Sequence, residues 1–197
     1  MRRVVECVPN FSEGRDKSII DEIVAPISEV NGVKLLNVEP NEDYNRVVVT
    51  FAGEPEGVLE AAFLSSKKAI ELIDMTKHKG EHPRIGAVDV VPFVPVKGVT
   101  MGDCVELSNK FAKLIAQEFG LPVYLYEESA RDEKRKSLAN IRAGEYEGLQ
   151  EKLKDPDWQP DYGPAAFVPR SGAVVTGARF FLIAYNVNLN TKDKGVA

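Results

Sequence analysis

VKLLNVEPNEDYNRVVVTF, residues 33–51, decides the fold class of this chain. Its two ends, residues 33–38 and 46–51, are apolar and rich in β-branched residues, and the polar segment between them contains Pro, Asn and Asp, which favour turns. The pattern therefore predicts two strands joined in a hairpin. Apolar residues recur at helical spacing over residues 16–30 and again over residues 55–73, which predicts a helix on each side of the hairpin.

Further elements extend this pattern toward both ends of the chain. The run VVECV, residues 4–8, predicts a first strand, and IGAVDVVPFVPV, residues 85–96, predicts a strand after the second helix. A third helix is predicted over residues 105–119 and another strand over residues 123–126. The order predicts an α+β fold: a ferredoxin-like βαββαβ core with extra strands, in a mixed sheet with helices mainly on one face.

The last third of the chain is less regular. Residues 129–154 are strongly charged and predict short helices on a solvated face. Residues 155–172 contain several prolines and no periodicity, which predicts a long ordered loop. Residues 178–189, ARFFLIAYNVNL, are apolar on both alternations, which is typical of a central strand buried on two sides.

Composition argues against several classes of protein. The formal net charge is -5, whereas nucleic-acid binding needs a basic surface to displace counterions from phosphates. Cys7 and Cys104 form no CxxC pair and follow no secretory leader, so no disulfide framework is expected. No apolar run approaches the roughly 20 residues that span a bilayer. We therefore expect a cytoplasmic protein with neither nucleic acid nor membrane as a partner.

The chain has two histidines, and both lie in the segment KHKGEHPR, residues 77–84. Histidine exchanges protons near neutrality because its ordinary pKa is about 6.5. This segment lies in a predicted loop just before a strand, and loops carry function more often than the elements they connect. From the residues alone, a solvated turn and a catalytic loop are about equally favoured.

A metal site is a competing interpretation of the same segment. Residues 78–82 match the H-x-x-E-H pattern of the inverzincin metalloproteases. That zinc site requires both histidines on one face of a continuous helix, whereas Gly80 weakens a helix and Pro83 disfavours helical geometry at His82. No bound metal is expected.

Two further loops contain residues suited to a binding site. VPNFSEGRD, residues 8–16, places Asn10, Ser12 and Glu13 at the end of the first strand, where they either line a pocket or only shape a turn. GPAAFVPRSGA, residues 163–173, combines small residues with one aromatic ring and one guanidinium group. Such a segment can accept a flat anion, or it can be a loop packed over the sheet.

Three long stretches of the chain resemble the formiminotransferase family. They are VECVPNFSEGRD (residues 5–16), LIDMTKHKGEHPRIGAVDVVPFVPV (72–96) and GPAAFVPRSGAVVTGARFFLIAYNVNLNT (163–191), and GLPVYLYEESARDEKRKSLANIRAGEYEGL between the last two extends the match. The resemblance covers nearly the whole chain. HKGEHPR followed by DVVPFVPV is among its most diagnostic motifs.

The resemblance implies a glutamate formimidoyltransferase, which moves the formimino group of N-formimino-L-glutamate to N5 of tetrahydrofolate in histidine degradation. Tetrahydrofolate is thus the expected co-substrate. Two alternatives stay open: a glutamate formyltransferase with N-formylglutamate as donor, and a non-catalytic folate-binding or assembly module that lacks a second subdomain.

The resemblance also assigns residues to roles. The histidine of GEHPR is the family's catalytic residue, which corresponds to His82. The residues expected to bind folate are Gly163, Pro164, Ala165, Ala166, Phe167, Val168, Pro169, Arg170, Ser171 and Gly172. Apart from these family assignments, the residues themselves suggest possible substrate contacts at Asn10, Glu39, Asn45, Arg46, Lys77, Lys79 and Arg84, and the cations Lys77, Lys79 and Arg84 are expected to attract the carboxylates of donor or folate. Asn37 and Glu39 stand where aspartates are familiar in the family.

The expected domain organisation follows from the same resemblance. Residues 1–180 are expected to form the N-terminal subdomain of the transferase, and residues 181–197 its last strand and the start of a linker to a C-terminal subdomain that this chain does not contain. The family binds folate in the crevice between the two subdomains. We therefore expect either a homo-oligomer or docking to a C-terminal subdomain.

Overall fold

The computed structural model describes residues 3–183. Within them, seven strands form one mixed sheet. The strands are β1 (Val4–Cys7), β2 (Asn10–Phe11), β3 (Val33–Asn41), β4 (Arg46–Gly53), β5 (Val88–Lys97), β6 (Val123–Glu127) and β7 (Val174–Ala178). The helices are α1 (Lys17–Glu29), α2 (Pro55–Leu72), α3 (Met101–Phe119), α4 (Leu138–Arg142) and α5 (Glu145–Lys152).

The first half of the sheet is antiparallel. β1 and β2 act as one interrupted strand, since both pair with β4 on one side and with β5 on the other. β3 pairs with β4 at the edge, so the strands lie in the order β3, β4, β1/β2, β5. With α1 and α2 as crossovers, this arrangement confirms the predicted ferredoxin-like βαββαβ core.

The second half of the sheet is parallel. β7 pairs with β5, and β6 pairs with the far side of β7. The helix α3 makes the crossover from β5 to β6 and packs against β5, β6 and β7. β6 is the strand predicted over residues 123–126, whereas β7 precedes the strand predicted over residues 178–189.

The three long helices share one face of the sheet. Asp16 caps α1 by accepting hydrogen bonds from the backbone N–H groups of Ser18 and Ile19. α1 packs on α2, and α2 packs on α3. Alternate residues of β4, namely Val47, Val49 and Phe51, are fully buried beneath these helices.

A second, smaller core covers part of the opposite face. Side chains from β5, β6 and β7 pack there against Ile141 of α4 and Leu149 of α5. The charged segment 129–154 therefore forms the short helices that were predicted, and it also shields half of a sheet face. The other half, formed by β1, β3 and β4, keeps its side chains half-buried or exposed.

The predicted central strand over residues 178–189 is wrong for the residues that the structure describes. The central position between β5 and β6 belongs to β7, which ends at Ala178. Residues 179–183 are not in a strand, and Phe180, Phe181, Leu182 and Ile183 expose 63–92% of their surface. These apolar side chains are therefore exposed and are not buried between neighbouring strands. Residues 184–189 lie outside the described part of the chain.

Among residues 3–183, no helix is both long enough and apolar enough to cross a membrane.

Candidate active site

The loop that carries both histidines joins α2 to β5 and lies against the turn between β3 and β4. Asn45 holds the two together. Its Oδ1 accepts a hydrogen bond from the backbone N–H of Gly14 (3.0 Å), its Nδ2 donates to the carbonyl oxygen of Lys79 (3.1 Å), and its own carbonyl accepts from Nε2 of His78 (2.8 Å). Asn45 has a φ of 46°, a left-handed conformation that asparagine tolerates better than most residues.

Gly80 lets this loop approach the turn closely. A Cβ atom at this position would lie 2.2 Å from the carbonyl oxygen of Tyr44. The backbone N–H of Glu81 also donates to the carbonyl oxygen of Asp43. The glycine of the GEHPR motif is therefore required by space, and it fixes the position of the following histidine.

His82 lies beside the open half of the sheet and contacts the first residue of β4. Nη1 of Arg46 donates to Nε2 of His82 (2.9 Å) and to Oδ1 of Asn10 (2.8 Å). Nδ1 of His82 lies 2.7 Å from the carbonyl oxygen of Pro83, which can only accept. Both contacts are satisfied by a single neutral tautomer, with the proton on Nδ1 and the lone pair on Nε2.

The surroundings of His82 favour this neutral form. Burial lowers the pKa of His82 to about 4, with further lowering by the positive charges of Arg46 and Arg142 and a smaller opposing effect of Asp89. The imidazole is therefore uncharged at neutral pH. A neutral ring with an Nε2 lone pair is the form that can accept a proton.

Arg46 is a half-buried cation without an ion-pair partner among residues 3–183. No carboxylate oxygen of the described chain lies within 4.0 Å of it, and its buried Nε has no hydrogen-bond acceptor there. Burial, followed by the charge of Arg142, lowers its pKa. The Tyr44 ring lies 5.8 Å from the guanidinium carbon. Such a group is suited to bind an anion.

A buried ion pair lies beneath the histidine loop. Asp89 of β5 is 1% exposed, accepts a hydrogen bond from the backbone N–H of Ile85 (3.1 Å) and pairs with Arg142 of α4. Neither partner is among the residues predicted for the site. Asp89 could have been found, because it is a lone acidic residue in an otherwise apolar strand sequence.

The other predicted cations differ in their surroundings. Lys77 is exposed and pairs with Asp74 (3.2 Å), and Lys79 is exposed. Arg84 is buried, and its guanidinium donates to Glu145 (2.8 Å) and Glu147 (2.7 Å) of α5. Its charge is therefore already balanced by two carboxylates, which leaves Arg46 as the better-placed cation for a substrate anion.

The acidic candidate on β3 lies further along the open half. Glu39 is exposed, lies opposite Val48 of β4 and accepts a hydrogen bond from Nδ2 of Asn37 (2.6 Å). Both side chains belong to the edge strand, and the charge of Glu39 acts on Arg46 through space.

The zinc-site pattern at residues 78–82 does not have the required geometry. The segment is not helical. His78 donates from Nε2 to Asn45 and accepts at Nδ1 from Nε of Arg84 (3.3 Å), whereas His82 bonds to Arg46 and Pro83. The two rings thus have separate partners. In the described part of the chain, no group of three or more His, Cys, Asp or Glu residues is arranged to hold a metal ion.

The segment expected to bind folate, residues 163–172, precedes β7 in the chain. In space it passes from beside the start of β6 to beside the start of β5. It meets the histidine loop twice, because Met75 N–H donates to the carbonyl oxygen of Arg170 and Ala87 N–H to that of Ser171 (2.9 Å each). Gly172, with a φ of 70°, forms a bridge to Gly86, and a Cβ at Gly172 would lie 2.2 Å from the carbonyl oxygen of Ile85.

The side chains of this segment contact its immediate neighbours. Phe167 packs on the Tyr146 ring with 5.5 Å between centroids, and Arg170 donates to the carbonyl oxygen of Glu71 (2.9 Å). Pro164, Ala165 and Ala166 are exposed. The structure thus places the segment against the two ends of the loop that carries His82, while Asn10, Asn45, Arg46 and His82 form the central cluster.

The family model and the relatives that match this chain agree with one another in the family that they indicate. Residues 4–179 match the family model described as the formiminotransferase domain, N-terminal subdomain. A formimidoyltransferase-cyclodeaminase of Dictyostelium discoideum is 57% identical over 195 residues, which is 98% of this chain and 36% of that protein. A glutamate formimidoyltransferase of Streptococcus pyogenes serotype M1 is 48% identical over the whole chain and 66% of its own length. The chain therefore spans between about a third and two thirds of these relatives.

Proposed function

Because the chain belongs to the formiminotransferase family, as its N-terminal subdomain, we propose that it carries the histidine-bearing half of a glutamate formimidoyltransferase site. The reaction moves the formimino group of N-formimino-L-glutamate to N5 of tetrahydrofolate and releases glutamate. Tetrahydrofolate is the proposed co-substrate, and formiminoglutamate the proposed donor. We also propose that the protein is cytoplasmic, as the composition predicts.

One observation carries the proposal. The Nε2 lone pair of a neutral His82 lies 2.9 Å from Nη1 of Arg46, a cation that has no carboxylate partner among the described residues. A proton acceptor and a binding group for carboxylate are thus adjacent. Transfer from formiminoglutamate would use both groups. The carboxylates of the donor need a cation, and the N5 amine that attacks the formimino carbon must lose a proton.

The proton transfers can be assigned to a single ring. The N5 amine of tetrahydrofolate forms a bond to the formimino carbon, and His82 Nε2 takes the N5 proton. The bond between that carbon and the glutamate nitrogen then breaks, and His82 returns the proton to the departing amine. The pKa of about 4 in the free site makes the ring a good acid once it is protonated.

Other residues would position the two substrates. Arg46 would pair with a carboxylate of the donor, with Asn10 holding its guanidinium. Lys79 and Lys77 are exposed and can attract carboxylates at longer range. The segment 163–172 would hold the folate ring, because its small exposed residues allow close approach to the backbone and Phe167 offers an aromatic face.

The proposed partner is a C-terminal subdomain docked on the open half of the sheet. The matching family model is described as an N-terminal subdomain, which implies a second one. Exposed apolar side chains lie on and beside this half, among them Leu36 of β3, Val96 of β5 and Phe180 to Ile183. A contact there would close a crevice over Arg46 and His82. Self-association is the alternative use of the same surface.

The test is transfer of the formimino group to tetrahydrofolate, followed by absorbance after acid conversion to the methenyl form. The wild-type chain is compared with His82→Ala, whose folding is checked by circular dichroism. Loss of turnover in a folded His82→Ala chain is the expected result. N-formylglutamate, used in parallel, distinguishes a formyl donor.

Two outcomes would contradict the proposal. Undiminished turnover in His82→Ala would remove the histidine from the chemistry. A wild-type chain that binds folate but shows no turnover, even with a C-terminal subdomain added in trans, would indicate a binding module instead.

A further inference from the structure

We propose that Arg46 is a positioning residue that couples binding of the donor's carboxylate to release of the Nε2 lone pair of His82. In the structure, an N–H of Arg46 occupies that lone pair. A carboxylate that draws the guanidinium away would free the nitrogen for proton transfer. The inference rests on the proposed function, because it takes His82 as the proton acceptor.

The observed arrangement is one in which His82 cannot yet act as a base. Nη1 of Arg46 uses its two N–H groups on Nε2 of His82 and Oδ1 of Asn10. Nδ1 of the ring donates to the carbonyl oxygen of Pro83 and keeps its proton. A neutral imidazole has a single in-plane lone pair, so Nε2 can accept from a substrate only after the contact with Arg46 is broken.

Arg46 also has a reason to move. Its Nε is buried without an acceptor among residues 3–183, and an unsatisfied buried donor costs free energy. A guanidinium group offers paired donors that match the two oxygens of a carboxylate. A donor carboxylate would therefore give Nε the acceptor that it lacks and would compete with His82 for the group.

The charges around His82 indicate what this movement would do. From β4 and the preceding turn, Arg46 and the Tyr44 ring, 5.7 Å between centroids, face the imidazole. From β5 and α4, Asp89 and Arg142 act on it as an ion pair whose charges offset each other. Arg46 is thus the unbalanced charge. Its neutralisation by a carboxylate would raise the pKa of His82 and strengthen it as a base.

The test uses the two histidines of the chain, whose two imidazole rings give four ring-nitrogen signals in a nitrogen-15 NMR spectrum. Both are titrated with pH in the absence and presence of L-glutamate, with ionic strength matched by chloride. We expect glutamate to raise the pKa of His82 by about one unit. At pH 7, the Nε2 shift should also move as the contact with Arg46 is lost. His78, bonded to Asn45 and Arg84, should not respond.

Two variants separate the effect of Arg46 from general electrostatics. Arg46→Gln should raise the pKa of His82 without glutamate and abolish the response to it. Arg131→Gln removes an exposed charge that stacks on Tyr162, and it should leave both behaviours as in the wild type.

An unchanged His82 signal at saturating glutamate, or a full response that persists in Arg46→Gln, would overturn the inference. Because no folate is present, the result can be interpreted whether or not the transfer assay succeeds. A glutamate response without turnover, even with a C-terminal subdomain added in trans, would support the coupling while contradicting the enzyme assignment.

Discussion

Nη1 of Arg46 donates to Nε2 of His82 across 2.9 Å, and this contact joins the first residue of β4 to the loop that follows α2. The cation and the imidazole position each other through this contact. Each has one further partner: Oδ1 of Asn10 for Arg46 and the carbonyl oxygen of Pro83 for His82. Changes at either residue should therefore alter the pKa or the hydrogen bonding of the other.

The first prediction concerns stability and pH. His82 has a pKa of about 4 in the folded chain and an ordinary value of about 6.5 when unfolded, so the unfolded state binds more protons between these two values. Stability should therefore fall as the pH is lowered from about 6.5 to about 4. His82→Gln should lose less stability than the wild type over this range, as measured by thermal unfolding. Identical pH dependence in both proteins would contradict the assigned shift.

The second prediction concerns Asn45. Asn45→Ala removes hydrogen bonds to Gly14 and Lys79 and places a less tolerant residue at a positive φ, so it should lower the free energy of unfolding by about 2 kcal/mol. Chemical denaturation measures the change. Asn31→Ala, at an exposed position, is the matched control and should stay within about 0.5 kcal/mol of the wild type.

The third prediction concerns the spacing between the histidine loop and the β3–β4 turn. Gly80→Ala would place a Cβ 2.2 Å from the Tyr44 carbonyl oxygen, so the loop must shift and carry His82 with it. Because a misplacement of about 1 Å can cost about 100-fold in rate, kcat/KM of the proposed transfer reaction should fall by about 100-fold. Gly148→Ala in α5 meets no atom within 4 Å and should stabilise the chain by roughly 0.5–1 kcal/mol with turnover unchanged. Equal turnover in both variants would show that the close approach is unnecessary.

The fourth prediction concerns the ion pair beneath the loop. Asp89→Asn leaves the largely buried guanidinium of Arg142 without its counter-charge, and Arg142→Gln does the reverse, so each should destabilise the chain by about 3 kcal/mol. The double variant leaves neither charge unpaired and should cost less than the sum of the two. Strictly additive losses in a double-mutant cycle would mean that the two groups act independently.

Much of the fold could be predicted from local patterns. The hairpin, the cap at Asp16 and the helix beginning at Pro55 are set by turn chemistry and by apolar spacing within a few residues. The last strand was placed too late, because Val174–Ala178 is short and the next residues are more apolar. Apolar runs alone do not distinguish a buried strand from an exposed apolar segment.

The site was only partly predictable for a related reason. His82 was identified by its residue type, motif and resemblance, but its contact with Arg46 depends on strand register and loop closure. Arg84 was expected to attract substrate carboxylates, whereas Glu145 and Glu147 of α5 already pair with it. Pairs separated by about 60 positions in the chain leave no pattern in a single sequence.

The alternation along β4 separates two demands on the same eight residues. Val47, Val49 and Phe51 face the helices, and Arg46, Val48, Thr50 and Ala52 face the open half of the sheet. Alternate residues of this strand thus serve the candidate site and the packing of the core. Evolution, or a designed library, can vary the even-numbered residues to change the chemistry of the open half of the sheet, while the odd-numbered residues continue to specify the fold.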